Sequence, residues 1–451
     1  MKGNDALKQL IEQNAPCYVY DKDMIARRCE TLASAMPNAS FLYSVKTNPF
    51  APIVREVALH GYGADAASAE EVIKAGNAGI SGDMIYYSAP GKTLRDIEKV
   101  WGRCTIIADS LSELGMLERY AAAHAGGKTQ EQADADASGS EADASVCTCK
   151  KVKVGVRVNP DFGMGGGAAS SSKFGIDESQ LMKAGLNYEH IQVVGVHVHL
   201  RSQVLDAATL CRYYEDCYAM AERINGLDAV HMEFINFGSG IGTVYDASKD
   251  SELEIGRIAQ TIEKLACAGS LGADVKLILE TGRFIVCNAG TYYTRIVDKK
   301  VSQGKTYLVV QNALNGFLRP AIAELLKQNL GEFPATGQEP LYTSPTQCQF
   351  DIMTTYGCEA GETDAGAGKA GSSTEAIGAD ATAAEGEIAG TEIVDIVGNL
   401  CTALDVMARG VELPCAQIGD IVSVSNAGSY GCTLSPLAFS SQEQPKELMW
   451  E

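Results

Sequence analysis

Hydrophobic patterns typical of strands and of helices alternate along the chain from about residue 40 to residue 285. Short apolar runs, each typical of a strand buried on both faces, are separated mostly by segments with helical periodicity. These runs end at Lys46, Asp65, Ser88, Asp109, Asn159, His199, Gly238 and Glu280. Eight such β-α units predict an α/β fold built on a (β/α)₈ TIM barrel rather than an open doubly wound sheet.

After Glu280 the pattern changes to strands separated by turn residues, as in TYYTRIVDKKVSQGKTYLVVQNAL and QIGDIVSVSNAGSYG. This pattern is typical of a C-terminal antiparallel β-domain. The segment PCYVYDKDMI near the N-terminus also has strand character and would join that sheet. We therefore expect a barrel domain over residues 25–285 and a β-domain made of residues 1–24 and 286–451.

Two segments of low complexity, at about 126–149 and about 358–392, interrupt this organisation. Both are rich in Ala, Gly, Ser and acidic residues, and such segments bury too little apolar surface to order themselves. They are expected to be solvated insertions. The first contains Cys147 and Cys149, but no second cysteine pair lies near them in the sequence, so no metal site is expected there.

Charge and hydropathy narrow the class of protein further. The formal net charge of −20 argues against nucleic acid as the partner. The N-terminal stretch MKGNDALKQLIEQNAP has no apolar signal core, and no run of about 18 apolar residues occurs. The 14 cysteines are scattered rather than arranged as a disulfide framework. These features predict a cytoplasmic protein with no membrane segment.

The ends of the predicted barrel strands carry the candidate chemistry, because barrel active sites lie at that face. Lys46 ends the first strand and Glu280 the eighth, and glycines follow the seventh and eighth strands. Glycines let backbone N–H groups approach phosphate oxygens. A lysine, a phosphate cradle and a carboxylate in one barrel point to pyridoxal phosphate, with the lysine holding the aldehyde as a Schiff base. The alternative is a lysine that merely extends into solvent at a strand end.

Six motifs occur in a characteristic order: YSVKTN, HVHLRSQ, FGSGIG, ETGR, LCTALD and NAGSYG. In these motifs the chain resembles the fold-type III pyridoxal-phosphate decarboxylases, the family of diaminopimelate, ornithine and arginine decarboxylases, whose barrel is alanine-racemase-like. The resemblance covers nearly the whole chain outside the two insertions. It implies a carboxy-lyase that decarboxylates an amino acid and works as a homodimer with shared active sites.

The resemblance also implies roles in binding the cofactor. Lys46 would be the Schiff-base lysine, Glu280 would pair with the pyridine nitrogen, and His199 would stack on the cofactor ring. Without the motifs, His199 would be a core histidine and Tyr430 an ordinary strand aromatic. The residues implied to hold the phosphate are Ser202, Gly238, Ser239, Gly240, Gly282, Arg283 and Tyr430.

Other matching residues are implied to act on the substrate. Cys401 matches a cysteine that the partner subunit contributes, and it would deliver a proton after carbon dioxide leaves or position the group that does. A buried small hydrophobe is the alternative for this cysteine. Arg319 would bind a substrate carboxylate, unless it is a surface arginine, while Thr402 and Tyr430 would also contact the substrate.

Four positions depart from the family pattern: Arg201 replaces a glycine, Thr281 a proline, Gln311 an aspartate and Thr402 an acidic residue. In the family, the acid at the Thr402 position contacts the far amino group of the substrate. A neutral threonine would leave that ammonium without its partner. The substrate is therefore left open between diaminopimelate, another basic amino acid and an amino acid bound to a carrier protein.

Two further questions remain open from the sequence. Asp65 and Arg157 end barrel strands and are expected either to tune the site or to form an ordinary buried ion pair. An amino-acid racemase and a non-catalytic protein that binds pyridoxal phosphate are alternative functions on the same fold. The LCTALD motif favours decarboxylation over racemisation, and a β-domain with Cys401 and Tyr430 argues against a simple carrier.

Overall fold

The computed structural model describes residues 2–124, 151–272, 274–330, 348–355 and 390–451. In chain order its strands are β1 (Cys17–Asp21), β2 (Ala39–Ser44), β3 (Gly63–Ala66), β4 (Ile85–Ser88), β5 (Thr105–Ala108), β6 (Val152–Asn159), β7 (Ile176–Asp177), β8 (Ile191–His197), β9 (Phe234–Asn236), β10 (Lys276–Thr281), β11 (Gly290–Ser302), β12 (Lys305–Val310), β13 (Phe350–Met353), β14 (Thr391–Val397), β15 (Val406–Pro414), β16 (Ile421–Val424) and β17 (Lys446–Trp450).

The helices of the described residues lie mostly between the strands of the first half of the chain. They are α1 (Lys2–Asn14), α2 (Lys22–Ala35), α3 (Ala51–Leu59), α4 (Ala69–Asn77), α5 (Leu94–Val100), α6 (Leu111–His124), α7 (Glu178–Ala184), α8 (Ala207–Asn225), α9 (Ile255–Ala268), α10 (Arg283–Val286) and α11 (Leu318–Leu330). Several of these helices have a polar N-cap residue whose side chain accepts a hydrogen bond from a backbone N–H of the first turn. Asp21 accepts a hydrogen bond from Met24 N at 2.8 Å, and Asp206 accepts one from Thr209 N at 2.9 Å.

Eight parallel strands form a closed barrel in the order β5-β4-β3-β2-β10-β9-β8-β6, and β5 pairs with β6 to complete the ring. Each apolar run identified in the sequence overlaps one of these strands, so the predicted (β/α)₈ barrel is confirmed. Three strands end two residues earlier than their runs. As a result Lys46, His199 and Gly238 lie in the loops that follow β2, β8 and β9.

Large and small residues alternate inside the barrel to fill it. Leu42, Tyr86, Ile107, Val194, Phe234 and Ile278 form an internal apolar cluster. The rings of Tyr86 and Phe234 pack edge to face with centroids 5.1 Å apart. Gly155 leaves room for this packing, because a Cβ atom there would lie 2.8 Å from Phe234 Cζ. The barrel is thus a packed core that supports the loops at one end.

The second sheet has the order β13-β16-β11-β12-β14-β15, with β1 paired to both β11 and β17. The predicted N-terminal strand therefore joins this sheet as β1. Most pairs are antiparallel, as expected, but β12–β14 and β1–β17 are parallel, so the sheet is mixed. Parallel neighbours need long connections, and these pairs are joined through α11 and through the whole barrel, respectively.

The two predicted insertions lie almost entirely outside the described residues, as do Cys147 and Cys149. The second was expected to run to about residue 392. Strand β14 instead begins at Thr391, and Glu392 Oε1 accepts a hydrogen bond from Lys299 Nζ at 2.6 Å. The end of that low-complexity run is ordered because it pairs with a neighbouring strand. Among the described helices, none is both long and apolar enough to cross a membrane.

Candidate active site

A pocket lies where the barrel strands end and the second sheet meets them. Loops after β2, β8, β9 and β10 and one residue of the second sheet's loops form its wall. The lining residues are Ser44, Lys46, Thr47, His199, Ser202, Gln203, Ser239, Gly240, Ile241, Glu280, Thr281, Gly282, Arg283 and Tyr430. Nine of the residues chosen from the sequence therefore lie together around one cavity.

Lys46 follows β2 in a short 3₁₀ turn, Val45–Thr47, whose other two residues are buried. Its Nζ lies 3.2 Å from Asp65 Oδ2 at the end of β3. The lysine side chain is 45% exposed while that of Asp65 is 1% exposed, so the amine faces the pocket and the carboxylate supports it from behind. The Asp65 charge raises the pKa of Lys46, which keeps the free amine protonated.

Glu280 is buried at the end of β10 within a polar network. Asn236 Nδ2 donates a hydrogen bond to Glu280 Oε1 at 2.7 Å, and His197 Nε2 lies 3.2 Å from the same oxygen. The other ring nitrogen of His197 lies 2.9 Å from Ser88 Oγ. Burial alone would raise the pKa of Glu280, but His197 and Lys46 outweigh it and hold that pKa below its usual value. Glu280 is therefore a carboxylate inside the barrel mouth.

His199 is a neutral imidazole against the pocket wall. Its Nε2 lies 3.1 Å from Ser202 Oγ, and burial lowers the pKa of His199 to about 3. Its Nδ1 is buried without a hydrogen-bond partner among the described residues. Gly238, with a φ of +66°, makes room for the ring, because a Cβ atom there would lie 2.5 Å from His199 Nδ1.

The loops after β9 and β10 form one end of the pocket. Ser239 Oγ donates to the carbonyl of Glu280, and Gly240 adopts a φ of +79° that favours glycine. The guanidinium of Arg283 stacks on the Tyr430 ring at 4.9 Å. Arg283 Nε is buried and has no hydrogen-bond partner in the described part of the chain, so this end can accept an anion.

Tyr430 comes from the loop after β16, in the second sheet. Its backbone N donates to Thr47 O at 2.9 Å, and Asn48 Nδ2 donates to Gly428 O at 2.9 Å. These bonds tie the turn that carries Lys46 to the second sheet. The pocket is therefore built by both parts of the fold.

Arg319 does not lie on the described wall of the pocket, although it was predicted to bind substrate. It is 1% exposed, at the start of α11, so the surface alternative is wrong. Its Nη2 donates to Asn426 O and its guanidinium lies 5.7 Å from the Tyr245 ring centre. Tyr245 in turn accepts a hydrogen bond from Arg283, so Arg319 lies directly behind a wall residue.

Cys401 and Thr402 lie in the exposed loop between β14 and β15, away from the pocket of their own chain as far as the described residues show. Cys401 is solvent-exposed, so burial as a small hydrophobe is wrong for this chain alone. The loop is held by Asp405, whose carboxylate accepts hydrogen bonds from Leu314 N at 2.8 Å and Leu400 N at 2.9 Å.

Asp65 and Arg157 do not pair with each other. Asp65 contacts Lys46, whereas Arg157 Nη1 lies 3.9 Å from Asp109 Oδ1 and its guanidinium stacks on Phe174 at 4.4 Å.

Among the four positions that depart from the family pattern, Thr281 lines the pocket, and its Oγ1 is buried without a hydrogen-bond partner among the described residues. Gln311 N donates to Arg295 O at 2.8 Å, within the second part of the fold.

Sequence reasoning did not single out His197, Asn236 or Tyr245, which contact the functional side chains. The motif HVHL contained a signal for the first, because residues two apart in a strand face the same side. In the structure His199 lies just beyond the end of β8, and both side chains reach the barrel mouth, where His197 contacts Glu280 and His199 lines the pocket. Nothing local marked Asn236 or Tyr245.

The residues fit pyridoxal phosphate. An amine faces the pocket, a buried carboxylate lies near it, and glycines with an unpaired arginine N–H form an anion end. Unpartnered polar atoms on His199 and Thr281 are what a ligand would satisfy. No group of three or more His, Cys, Asp or Glu suited to a metal ion occurs in the described ranges. Fold and site thus fit the class of barrel enzymes that bind an aldehyde cofactor.

Comparison with known sequences identifies the family. Residues 22–287 match the family described as pyridoxal-dependent decarboxylase, pyridoxal binding domain, and residues 364–428 match its C-terminal sheet domain. The chain belongs to the pyridoxal-dependent decarboxylases. It is accordingly an amino-acid decarboxylase that uses pyridoxal phosphate.

Individual relatives agree with this assignment. The chain is 27% identical over 438 residues to the diaminopimelate decarboxylase of Archaeoglobus fulgidus, covering 94% of this chain and 85% of that protein. It is 25% identical over 443 residues to the L-glutamyl-[BtrI acyl-carrier protein] decarboxylase of Niallia circulans, covering 96% and 88%.

Solved structures share the fold. Diaminopimelate decarboxylase from Helicobacter pylori, complexed with L-lysine, has a TM-score of 0.70 at 22% identity and covers 97% of this chain and 92% of that chain. The lysine/ornithine decarboxylase from Vibrio vulnificus, complexed with cadaverine, has a TM-score of 0.69 at 18% identity, covering 100% and 99%.

The burial of His199 leads to a first prediction. Because burial lowers the pKa of His199 to about 3, its imidazole will stay neutral at every pH from 5 to 8. In NMR spectra of the cofactor-free protein, the His199 ring signals, assigned by their loss in His199→Gln, will not shift over this range. A titration midpoint inside the range would contradict the buried placement of the ring.

Proposed function

We propose that Lys46 Nζ is the group that would hold the aldehyde of pyridoxal phosphate. The position of Nζ in the pocket, 3.2 Å from the buried Asp65, is the observation that carries this assignment. Asp65 holds the free amine as an ammonium, so a proton must leave before the amine can attack an aldehyde. The Asp65 carboxylate is the nearest described group that could accept that proton.

When bound, pyridoxal phosphate supplies an electron sink that stabilises the carbanion left by loss of carbon dioxide. Glu280 would support this chemistry by presenting its carboxylate to the ring nitrogen. Its contact with His197 and its hydrogen bond from Asn236 keep it ionised and oriented. His199, neutral and close to Ser202, would pack on the ring face without adding a positive charge.

The opposite end of the pocket would bind the phosphate group. Ser239 and Gly240 of the glycine loop (Gly238–Gly240), Gly282, the hydroxyl of Ser202 and the guanidinium of Arg283 are grouped there. Gly238 itself does not line the described wall, and its N–H donates to Asn236 Oδ1 at 2.9 Å. Arg283 retains a buried N–H with no described partner, and the stacking of its guanidinium on Tyr430 restricts its orientation. Pre-positioned donors of this kind favour a dianionic group.

We further propose a homodimer in which the partner subunit completes each site. Cys401 lies on an exposed loop, outside the described wall of its own chain's pocket, and is thus available to a second copy. There it would return a proton to the substrate carbon or position the group that does.

The described cysteines are all free thiols, which supports a reducing, cytoplasmic location.

The proposed substrate is an α-amino acid that does not present a free terminal ammonium to Thr402, such as a carrier-bound aminoacyl group. Thr402 is neutral where related enzymes have an acid. Asp405, three residues later, does not replace that acid, because both of its carboxylate oxygens already accept backbone hydrogen bonds. The similarity to a decarboxylase of a glutamyl group on a carrier protein supports this class.

Lys46→Ala tests the cofactor assignment. The wild-type protein with pyridoxal phosphate should be yellow and release carbon dioxide from an amino acid, and both the visible absorbance and the activity should be lost in the variant, since the amine is gone. Lys99→Ala, at an exposed ion pair with Glu70, is the matched control and should behave as wild type. Visible absorbance that persisted in Lys46→Ala would refute the assignment.

Thr402→Glu tests the substrate class. Wild-type kcat/KM should be higher for a glutamyl thioester of pantetheine than for diaminopimelate, lysine or ornithine. The variant should improve kcat/KM for the diamino substrates by about tenfold, because a carboxylate would face their ammonium group. Thr391→Glu, at an exposed strand residue, controls for added negative charge. A wild type that prefers diaminopimelate would contradict the proposal.

Subunit mixing tests the shared site. Lys46→Ala and Cys401→Ala should each have little activity, but a dissociated and reassociated 1:1 mixture should recover about a quarter of wild-type activity, because half of its dimers carry one intact site. The readout is carbon dioxide release after mixing. No recovery, with mixed dimers demonstrated by mass spectrometry, would show that each site uses residues of one chain.

A further inference from the structure

The segment Thr243–Tyr245 continues the glycine loop of the pocket but belongs to no helix or strand. Buried backbone groups normally need partners, and here side-chain amides provide them. Gln203 Nε2 donates to Thr243 O at 2.6 Å, and Thr243 N donates to Gln203 Oε1 at 3.1 Å. One side chain thus pairs with both backbone groups of Thr243.

Two asparagines hold the rest of the segment. Asn288 accepts a hydrogen bond from Thr243 Oγ1 at 2.6 Å and donates to Val244 O at 3.1 Å. It also donates to Asn426 Oδ1 at 2.8 Å. Asn426 Nδ2 completes the set by donating to Tyr245 O at 3.1 Å. We call Gln203, Asn288 and Asn426 the amide clamp.

The clamp residues come from three separate parts of the chain. Gln203 lies in the loop after β8, Asn288 between α10 and β11, and Asn426 in the loop after β16 of the second sheet. Gln203 and Asn426 have positive φ angles of 59° and 57°. Non-glycine residues in this region are uncommon and concentrate at functional sites, which indicates that the surrounding structure imposes the conformation.

The clamped segment positions Tyr245, which is 4% exposed. The Tyr245 hydroxyl accepts a hydrogen bond from Arg283 Nη1, and the ring lies 5.9 Å from the Arg283 guanidinium and 5.7 Å from that of Arg319. Arg319 also donates to the backbone of Asn426, so it supports the clamp from behind. Through these contacts the clamp controls the direction of a charged group on the pocket wall.

We infer that the amide clamp is a positioning device that holds the glycine loop and Arg283 in the arrangement that receives the phosphate group of the cofactor. The inference rests on the proposed function for the identity of the anion. It follows that the clamp residues act through Tyr245 and the loop. A preorganised anion site binds more tightly because the ordering of its donors does not have to accompany binding.

Loosening the clamp should therefore weaken recognition of phosphate while leaving the reaction of Lys46 with an aldehyde largely intact. The test compares pyridoxal phosphate with pyridoxal, which has the aldehyde but no phosphate. Two variants remove one clamp side chain each: Asn288→Ala, and Asn426→Gly, which tolerates the positive φ. In both variants, the affinity for pyridoxal phosphate divided by the affinity for pyridoxal should fall by about tenfold relative to wild type.

The matched control is Asn312→Ala. Asn312 is also a buried asparagine whose Nδ2 donates to a backbone carbonyl, Glu443 O at 2.9 Å, but it does not line the described pocket. This variant should keep the wild-type ratio even if it lowers the melting temperature. A ratio that stayed at the wild-type value in both clamp variants, or that fell equally in Asn312→Ala, would overturn the inference.

Hydrogen exchange of the cofactor-free protein provides a second readout. Amides of residues 238–245 should exchange faster in the two clamp variants than in wild type or Asn312→Ala, and unchanged exchange would overturn the inference. Failure of the proposed function would look different, because the wild type itself would form no Lys46-dependent adduct with pyridoxal phosphate. In that case weaker binding of inorganic phosphate together with faster exchange would still support the clamp.

Discussion

Closure of the barrel by the pairing of β5 with β6 is the constraint on which the rest of the structure depends. Because all eight strands run in parallel, their carboxyl ends meet around one opening. Residues as distant in sequence as Lys46 and Glu280 thereby enter a single pocket. The packed apolar interior under the pocket, which includes Phe234, keeps the strand ends at fixed separations.

Several charged side chains are buried around the opening of the barrel, and each is paired with a neighbouring charged or polar group. Asp65 supports the ammonium of Lys46, and His197 with Asn236 supports the carboxylate of Glu280. An isolated ion in these positions would be costly. The pairings leave the site with an amine, a carboxylate and a neutral imidazole, His199, in defined places, and this distribution fits pyridoxal phosphate.

The second sheet contributes residues to the pocket and to the segment behind it. Its loop after β16 brings Tyr430 to the pocket and Asn426 to the segment behind it, and both have positive φ angles. The Cys401 loop, held by Asp405, is instead exposed, and Cys401 does not line its own chain's described pocket. One part of this sheet thus shapes the pocket of its own chain, while the Cys401 loop lies outside the described wall of that pocket.

The sequence by itself determined the elements and the chemical types at the strand ends. The apolar runs, the lysine after β2, the acid of β10 and the glycines are local patterns, since strand periodicity and turn formation act over a few residues. Only the tertiary structure decided the contact of His197 with Glu280, the burial of Arg319 and the joining of Gln203, Asn288 and Asn426. Those contacts link residues that are far apart in the chain, so they depend on barrel closure and sheet docking rather than on any local preference.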